Sequence, residues 1–316
     1  MKAIQYVMIG ALMVGFSVSA VAQEDHKAVI DQVSKIIKAK GADTQKQVND
    51  IFKLNKKNVD VITAIGRAYL DVKDTVNAQK YADLALKRDN HYGEAYILCG
   101  DIQAAKDNGG EAASWYNQAT MMDPKNPEGY RRYALAYSKV SPSSAAAKLE
   151  ELRKQVPGYP VDIIMADIYQ NANEIDKAVE YYKKVDPSKM TEAQIVNFAL
   201  DYFLQGDFSN SLQVASGALQ KYPKSPALNR IAFFDLTNLK RFDEALSYAD
   251  KLFNQSENAK ITESDYLYYG YAYMGKNDYD NAIAMFNKSY ELNTDNEQDK
   301  SDALKNIATA YESKGD

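Results

Sequence analysis

A small residue recurs along this chain at a nearly constant step. Gly66, Gly100 and Ala134 are spaced 34 residues apart, and Ala166, Ala199, Phe233, Gly270 and Ala308 continue the series with slightly variable spacing. A fixed period of about 20 to 50 residues marks a repeat architecture, in which each unit is too small to bury its own apolar face and must stack on its neighbours.

Twelve residues after each of the first seven positions stands a second, mostly small residue: Ala78, Ala112, Ala146, Ala178, Ser211, Ala245 and Ala282. Two small residues at a constant offset predict two helices in close contact. Three residues after the first small position comes a tyrosine, at Tyr69, Tyr137, Tyr169, Tyr202, Tyr273 and Tyr311, with Gln103 and Leu236 as exceptions. Turn formers lie between the small positions, as in Asn108-Gly109-Gly110, Ser141-Pro142-Ser143, Gly206-Asp207 and Gly275-Lys276-Asn277-Asp278. Asp123-Pro124, Asp186-Pro187 and Tyr222-Pro223 end the second helix before the next hairpin begins. Each segment therefore predicts a helical hairpin, and the chain an all-α fold.

The 34-residue step, the Gly/Ala then Tyr pattern, the later Ala and the closing Pro resemble the tetratricopeptide repeat over most of residues 59–311. Tyr96, Gly100, Ala112, Tyr116, Ala119 and Pro124 form one good copy, and Tyr266, Gly270, Tyr273, Ala282 and Phe286 another. The resemblance implies a right-handed superhelical solenoid of about seven to eight hairpins. On that reading residues 1–22 are a signal peptide and 23–58 a degenerate N-terminal capping repeat. Residues 59–294 are the tandem solenoid, and 295–316 a linker with an incomplete last repeat or capping helix. Phe233 in place of a small residue, and Arg153 where Ala119 and Ala218 stand in their repeats, predict looser or rotated hairpins.

The first residues read as an export signal. Lys2 supplies positive charge, Tyr6 to Val18 is mostly apolar, and Ala20-Val21-Ala22 is a small-x-small cleavage site before Gln23. The expectation is an exported chain, periplasmic or at the cell surface, soluble and without an integral membrane segment after cleavage. Cys99, the one cysteine, has helical neighbours Ala95, Tyr96, Ile102 and Gln103 that predict a packed thiol.

Composition narrows the function. A net charge of -5, with acidic and basic residues mixed along the length, leaves no basic stripe for nucleic acid. Only His26 and His91 are available as imidazole ligands, and no nucleophile elbow, phosphate loop or dinucleotide turn is present. Acidic neighbours such as Glu150-Glu151 and Asp243-Glu244 point to different helix faces. The sequence thus predicts neither an enzyme nor a bound cofactor or metal.

By resemblance, the first helix of each repeat lines the concave face. Its mapped positions in the N-terminal repeats are Asp60, Thr63, Arg67, Asp71, Glu94, Ile97, Asp101, Glu128, Arg131, Lys139 and Asp167, polar and mixed in sign. In later repeats they are Val196, Leu200, Phe203, Leu204, Phe234, Leu267, Tyr271 and Met274, with Arg230 the main charge. An apolar solvent-facing stretch marks an interaction site, so these residues, with Arg131 and Lys139, predict a groove for a peptide or helix of a cell-envelope protein. Burial of the same side chains within the stack is the competing expectation. The family's carboxylate-gripping chaperone mode is not implied, because Arg131 and Arg132 lack the matching asparagines. Two other readings remain: a carbohydrate-binding or nutrient-uptake accessory presenting tyrosine platforms, and the helical half of a longer protein, since Tyr311–Asp316 matches the turn at Tyr273–Asp278.

Overall fold

A computed structural model describes residues 18–292 and 297–315. The export signal falls largely on residues 1–17, outside the described residues, as does part of the expected linker, 293–296.

All regular structure among the described residues is helical. The helices are α1 (Val18–Ala39), α2 (Thr44–Leu54), α3 (Val59–Asp71), α4 (Thr75–Arg88), α5 (Gly93–Ala104), α6 (Gly109–Met122), α7 (Pro127–Tyr137), α8 (Pro142–Gln155) and α9 (Val161–Asn171). There follow α10 (Ile175–Tyr182), α11 (Glu192–Leu204), α12 (Phe208–Ala218), α13 (Pro226–Asn238), α14 (Phe242–Asp250), α15 (Glu263–Gly275), α16 (Tyr279–Leu292) and α17 (Glu297–Lys314). A 3-10 turn, Pro187–Lys189, precedes α11, and a π turn, Lys251–Gln255, extends α14.

Two compact units divide the chain: Met1–Tyr137 with Ser143–Tyr159, and Ser138–Pro142 with Pro160–Asp316. In the first unit α3 packs on α5 and α5 on α7; in the second α9, α11, α13 and α15 pack in succession. The second helices make their main contacts with the first helices on either side. The first-helix side is therefore the inner side of each stack.

Hairpin closure follows one rule. Lys73, Asp107, Asn173, Gly206, Lys240 and Asn277 each stand seven residues after the small position, and each is left-handed, with φ between 58° and 75°. The next N–H turns back to the carbonyl five residues earlier, as in Asp74 to Tyr69, Asp207 to Tyr202 and Asp278 to Tyr273, all at 2.9 Å. This satisfies carbonyls left open at the end of the first helix. The Asp74 and Asp207 side chains then accept from the backbone N–H of Asn77 and Asn210, capping the second helix. The hairpin of α7 and α8 departs from the rule, with Pro142 opening α8.

Close contact inside the hairpins comes from matched volumes. A Cβ on Gly100 would run into the Tyr116 ring, and one on Gly270 into the Phe286 ring. In both pairs the ring stands sixteen residues after the glycine. Where Phe233 occupies the glycine's place, Ala249 stands sixteen residues on, and the Phe233 ring is fully buried against Phe234, Tyr268 and Tyr269. The ring has moved from the second helix to the first, so the expected loosening is met by an exchange of volumes. Arg153 is half-buried and donates to Glu150 at 3.0 Å.

At the N-terminal side α1 and α2 form a hairpin, burying Val33, Ile37 and Val48 with Val61 and Ile65 of α3. At the other end α17 packs on α16. It buries Ala303 and Ala310 and leaves Ala308 exposed, so Ala308 does not take the buried place that the sequence periodicity gave it. Cys99 is buried as expected, and burial pushes its thiol up to about 12.

Candidate functional site

The inner side of each unit carries a different surface. In the first unit it is a ladder of charges whose rungs join consecutive hairpins. Arg67 of α3 donates to Asp101 of α5 at 2.8 Å, and Arg132 of α7 donates to the other Asp101 oxygen at 2.9 Å. The buried Tyr116 hydroxyl adds a third bond to Asp101 at 2.7 Å. Glu94 takes a hydrogen bond from Asn126 at 2.9 Å, and Asp60 one from Tyr92 at 2.5 Å. Glu128 is held by Arg131, through two bonds of 2.8 and 2.7 Å, and by Arg132 at 2.7 Å. Burial alone would raise the Glu128 carboxyl, but the bonds and charges of the two guanidinium groups hold it below the usual carboxylate range. Burial and the bond to Asp101 push the Tyr116 hydroxyl up.

These charges satisfy one another and so act as rivets between hairpins. Of the residues mapped to this face, Ile97 and Thr63 are buried in the stack, Arg131 is committed to Glu128, and Lys139 is exposed in the turn before α8. Tyr92 and Asn126 belong to the ladder and were not found from the sequence, because their partners lie a repeat away, while Tyr116, legible as a ring of its repeat, also adds its hydroxyl to the ladder.

In the second unit the inner side is aromatic. Phe203 of α11 meets Phe234 of α13 with ring centroids 6.4 Å apart. Phe234 stacks on Tyr268 of α15 at 3.8 Å and 12°, and Tyr268 meets Tyr271 edge-on at 6.0 Å. Phe208 closes the near end against Phe203 at 5.3 Å. The structure thus joins Phe203, Phe234 and Tyr271 into one row and adds Tyr268 and Phe208 to it. Around the row Leu200 is 36% exposed, Leu204 60% and Tyr271 37%. Val196 is half-buried. Leu267 and Met274 pack with Ile283 and Phe286 of α16, the second helix of their own hairpin, and with Ala310 of α17.

Arg230, the charge mapped to this face, is engaged within the chain. Its guanidinium forms two bonds to the buried Asp265, at 2.6 and 2.8 Å, and a third to the Lys260 carbonyl at 2.7 Å. Asp265 also caps α15 by accepting from the Thr262 N–H at 2.8 Å. One buried carboxylate therefore both starts α15 and ties it to α13, the first helix of the preceding hairpin.

The repeated tyrosines are largely occupied with one another. Tyr69 stacks on Tyr81, Tyr137 on Tyr133, Tyr169 on Tyr181 and Tyr273 on Tyr269. Among the described residues no group of His, Cys, Asp and Glu could hold a metal ion. No helix among them is long and apolar enough to cross a membrane.

Hairpins closed by a left-handed turn and stacked through paired small and aromatic residues define a helical-repeat protein. The family model described as tetratricopeptide repeat matches residues 163–186, spanning most of α9 and all of α10, and 266–296, spanning most of α15 and all of α16. The chain is thus a protein that carries tetratricopeptide repeats at these two places. Such proteins generally serve as scaffolds for protein–protein interaction and are typically non-enzymatic.

Solved structures similar to the chain include a tetratricopeptide repeat protein from Parabacteroides merdae, at 17% identity and a TM-score of 0.47, covering 79% of this chain and 98% of that one. The APC/C hetero-tetramer Cut9-Hcn1 is similar at 14% identity and a TM-score of 0.44, covering 85% of this chain and 52% of that one. Naa15/Naa10 bound to HypK-THB is similar at 17% identity and a TM-score of 0.45, covering 92% of this chain and 46% of that one. No curated protein matches the chain by sequence.

Proposed function

We propose that this protein is an exported, non-catalytic scaffold, and that the inner side of α11, α13 and α15 receives a segment of an envelope protein carrying apolar anchors. The carrying observation is the exposure of Leu200, Leu204 and Tyr271 around the half-buried row of Phe203, Phe234 and Tyr268. Adjacent exposed apolar side chains on rigid helices suit an apolar side chain set down from a partner helix or strand. The charges nearby offer no rival anchor, because Arg230 is spent on Asp265. Export rests on Lys2, the apolar run and the Ala20-Val21-Ala22 site.

The test is a comparison of Leu200→Ser/Leu204→Ser/Tyr271→Ser with the unaltered chain, as baits in envelope extract and then against each purified candidate. Because all three side chains are exposed, the variant keeps its helical signal and thermal midpoint within a few degrees. A partner bound by the unaltered chain and lost from the folded variant supports the reading. Equal retention of every partner rejects this face. Mass spectrometry of the exported chain is expected to find Gln23 as the first residue.

A further inference from the structure

A second surface of the same unit is a cavity rather than a face. It measures about 410 Å³ and lies between the Pro187–Lys189 turn, α11 and α12. Ligand pockets run from about 300 to 1,000 Å³ and combine apolar walls with few polar groups, so this one has room for a small molecule.

The sequence explains why the cavity exists. In three other repeats the closing proline stands twenty-three or twenty-four residues after the small position, at Pro124, Pro157 and Pro223, but Pro187 stands only twenty-one after Ala166. A proline disfavours the helical conformation in the residue before it, here the extended Asp186, and α10 stops at Tyr182 after 8 residues, against 14 in α4, α6, α8 and α16, 11 in α12 and 9 in α14. The chain that would supply the last helical turns forms the 3-10 turn instead, and it contributes Pro187, Ser188 and Met190 to the lining. Ile195, Phe198 and Tyr202 of α11 add buried apolar surface.

Gly217 is the second observation. It lines the cavity within the last turn of α12, has ordinary helical backbone, and a Cβ built on it would meet nothing within 4 Å. Glycine weakens a helix by about 0.5–1 kcal/mol relative to alanine, and neither conformation nor crowding calls for it at this position. Gly217 is exposed at the rim of the cavity, and what its missing side chain leaves is open space at the entrance.

Lys221 is the third. It carries the one charge among the described lining residues, is exposed, and has no carboxylate partner among the described residues; its ammonium sits 5.1 Å from the centre of the Tyr222 ring. An apolar cavity with one charged side chain, Lys221, in its lining, and with the Lys183 ammonium 5.4 Å from the ring of the lining residue Tyr202, complements an apolar body ending in a single negative charge.

We propose that this cavity binds a small monocarboxylate with an aryl or alkyl body, the body lying against Phe198, Tyr202 and Gly217 and the carboxylate meeting Lys221. The site is separate from the aromatic row on the inner side and does not depend on the scaffold reading.

Calorimetric titration and amide NMR with 4-phenylbutyrate and octanoate test it, with 4-phenylbutanol and octanol as uncharged counterparts. Saturable one-to-one binding that shifts the Ile195, Tyr202 and Gly217 amides is expected, with the acids tighter than the alcohols by about fivefold, the upper end for an exposed ion pair. Lys221→Gln removes that preference and leaves alcohol binding unchanged. Gly217→Leu fills this entrance and weakens both acid and alcohol at least tenfold, with a thermal midpoint equal to or above the unaltered chain's. The proposal is overturned if no acid saturates by about 1 mM, if acid and alcohol bind alike, or if folded Gly217→Leu binds as well as the unaltered chain. Should Gly217→Leu fail to fold, the acid preference and its loss in Lys221→Gln still decide the matter.

Discussion

Asp201 of α11 and Asp235 of α13 stand one 34-residue step apart, at the same place in consecutive hairpins, and both side chains are fully buried. Among the described residues neither carboxylate has a hydrogen-bond partner. Other hairpins put Ala68, Ile102, Ile168 and Ala272 at this place. Burial pushes both carboxyls up to about 7, and the Ser211 hydroxyl beside Asp235 offsets part of the effect there.

The pH dependence follows from the direction of these shifts. Between about pH 4, the ordinary aspartate value, and pH 7 the folded chain keeps protons that the unfolded chain has released. These two groups therefore favour folding most at low pH, and their contribution falls as pH rises through the window and levels off above it. Asp201→Asn/Asp235→Asn removes the ionisation and leaves a neutral group of similar size. At pH 8 the variant is expected to be more stable than the unaltered chain by about 2 kcal/mol or more, since a tenfold change in proton affinity is worth about 1.4 kcal/mol. Chemical denaturation of both chains at pH 5 and pH 8 checks this. A difference in stability that does not grow with pH would contradict it.

Arg230 and Asp265 give the opposite case, a buried carboxylate whose partner is present. Arg230→Met strips the guanidinium but keeps the apolar stem, leaving Asp265 buried without its cation. Removing one member of a buried pair costs about 3–5 kcal/mol. Arg241→Met, which breaks an exposed pair with Glu244, is expected to cost under about 1 kcal/mol. Thermal melts of the two variants should differ accordingly, and similar midpoints would show that the Arg230 bonds do not hold α13 to α15.

Much of the fold was legible because its key contacts are local. A small residue and the ring that complements it lie sixteen residues apart on one hairpin, as in Gly100 with Tyr116 and Gly270 with Phe286, so a periodic search finds them, whereas the compensation of Phe233 by Ala249 shows only in the packing. The closing turn was legible as a place but not as a conformation. Its left-handed residue is a lysine at Lys73 and Lys240, which carries no turn signal of its own, while Asp107, Asn173, Gly206 and Asn277 are residue types that tolerate this conformation. The inner surface was only half legible. Whether Leu267 faces out or packs against α16 and α17 depends on how those helices roll against α15, and Arg230 finds its partner thirty-five residues on. Tyr268 escaped because it lies outside the positions that the repeat assigns to the inner face.

Volume exchange predicts the outcome of two further changes. Gly100→Ala and Gly270→Ala each place a methyl in the path of a ring, Tyr116 or Phe286. Overpacking of this kind costs about 1–3 kcal/mol. Phe286→Leu added to Gly270→Ala makes room and should recover part of the loss, so that the double variant is more stable than the sum of the single changes allows. A double-mutant cycle by urea unfolding reads the coupling directly; strict additivity would mean that the two residues do not share the space.

Lys240 tests the turn rule in the stabilising direction. It is exposed, left-handed at φ 60°, and its backbone N–H donates to the Thr237 carbonyl at 3.0 Å. A side chain in this conformation brings Cβ close to the following carbonyl, at a cost of about 1–2 kcal/mol. Lys240→Gly removes that crowding while keeping the hydrogen bond, which belongs to the backbone. The unfolded chain gains freedom from the glycine, so the net gain is smaller, about 0.5–1 kcal/mol. Gly206→Ala at the same place in the preceding hairpin, where φ is 75°, should lose a comparable amount. Urea midpoints moving in opposite directions for the two variants would establish that one backbone conformation, not a particular side chain, closes these hairpins.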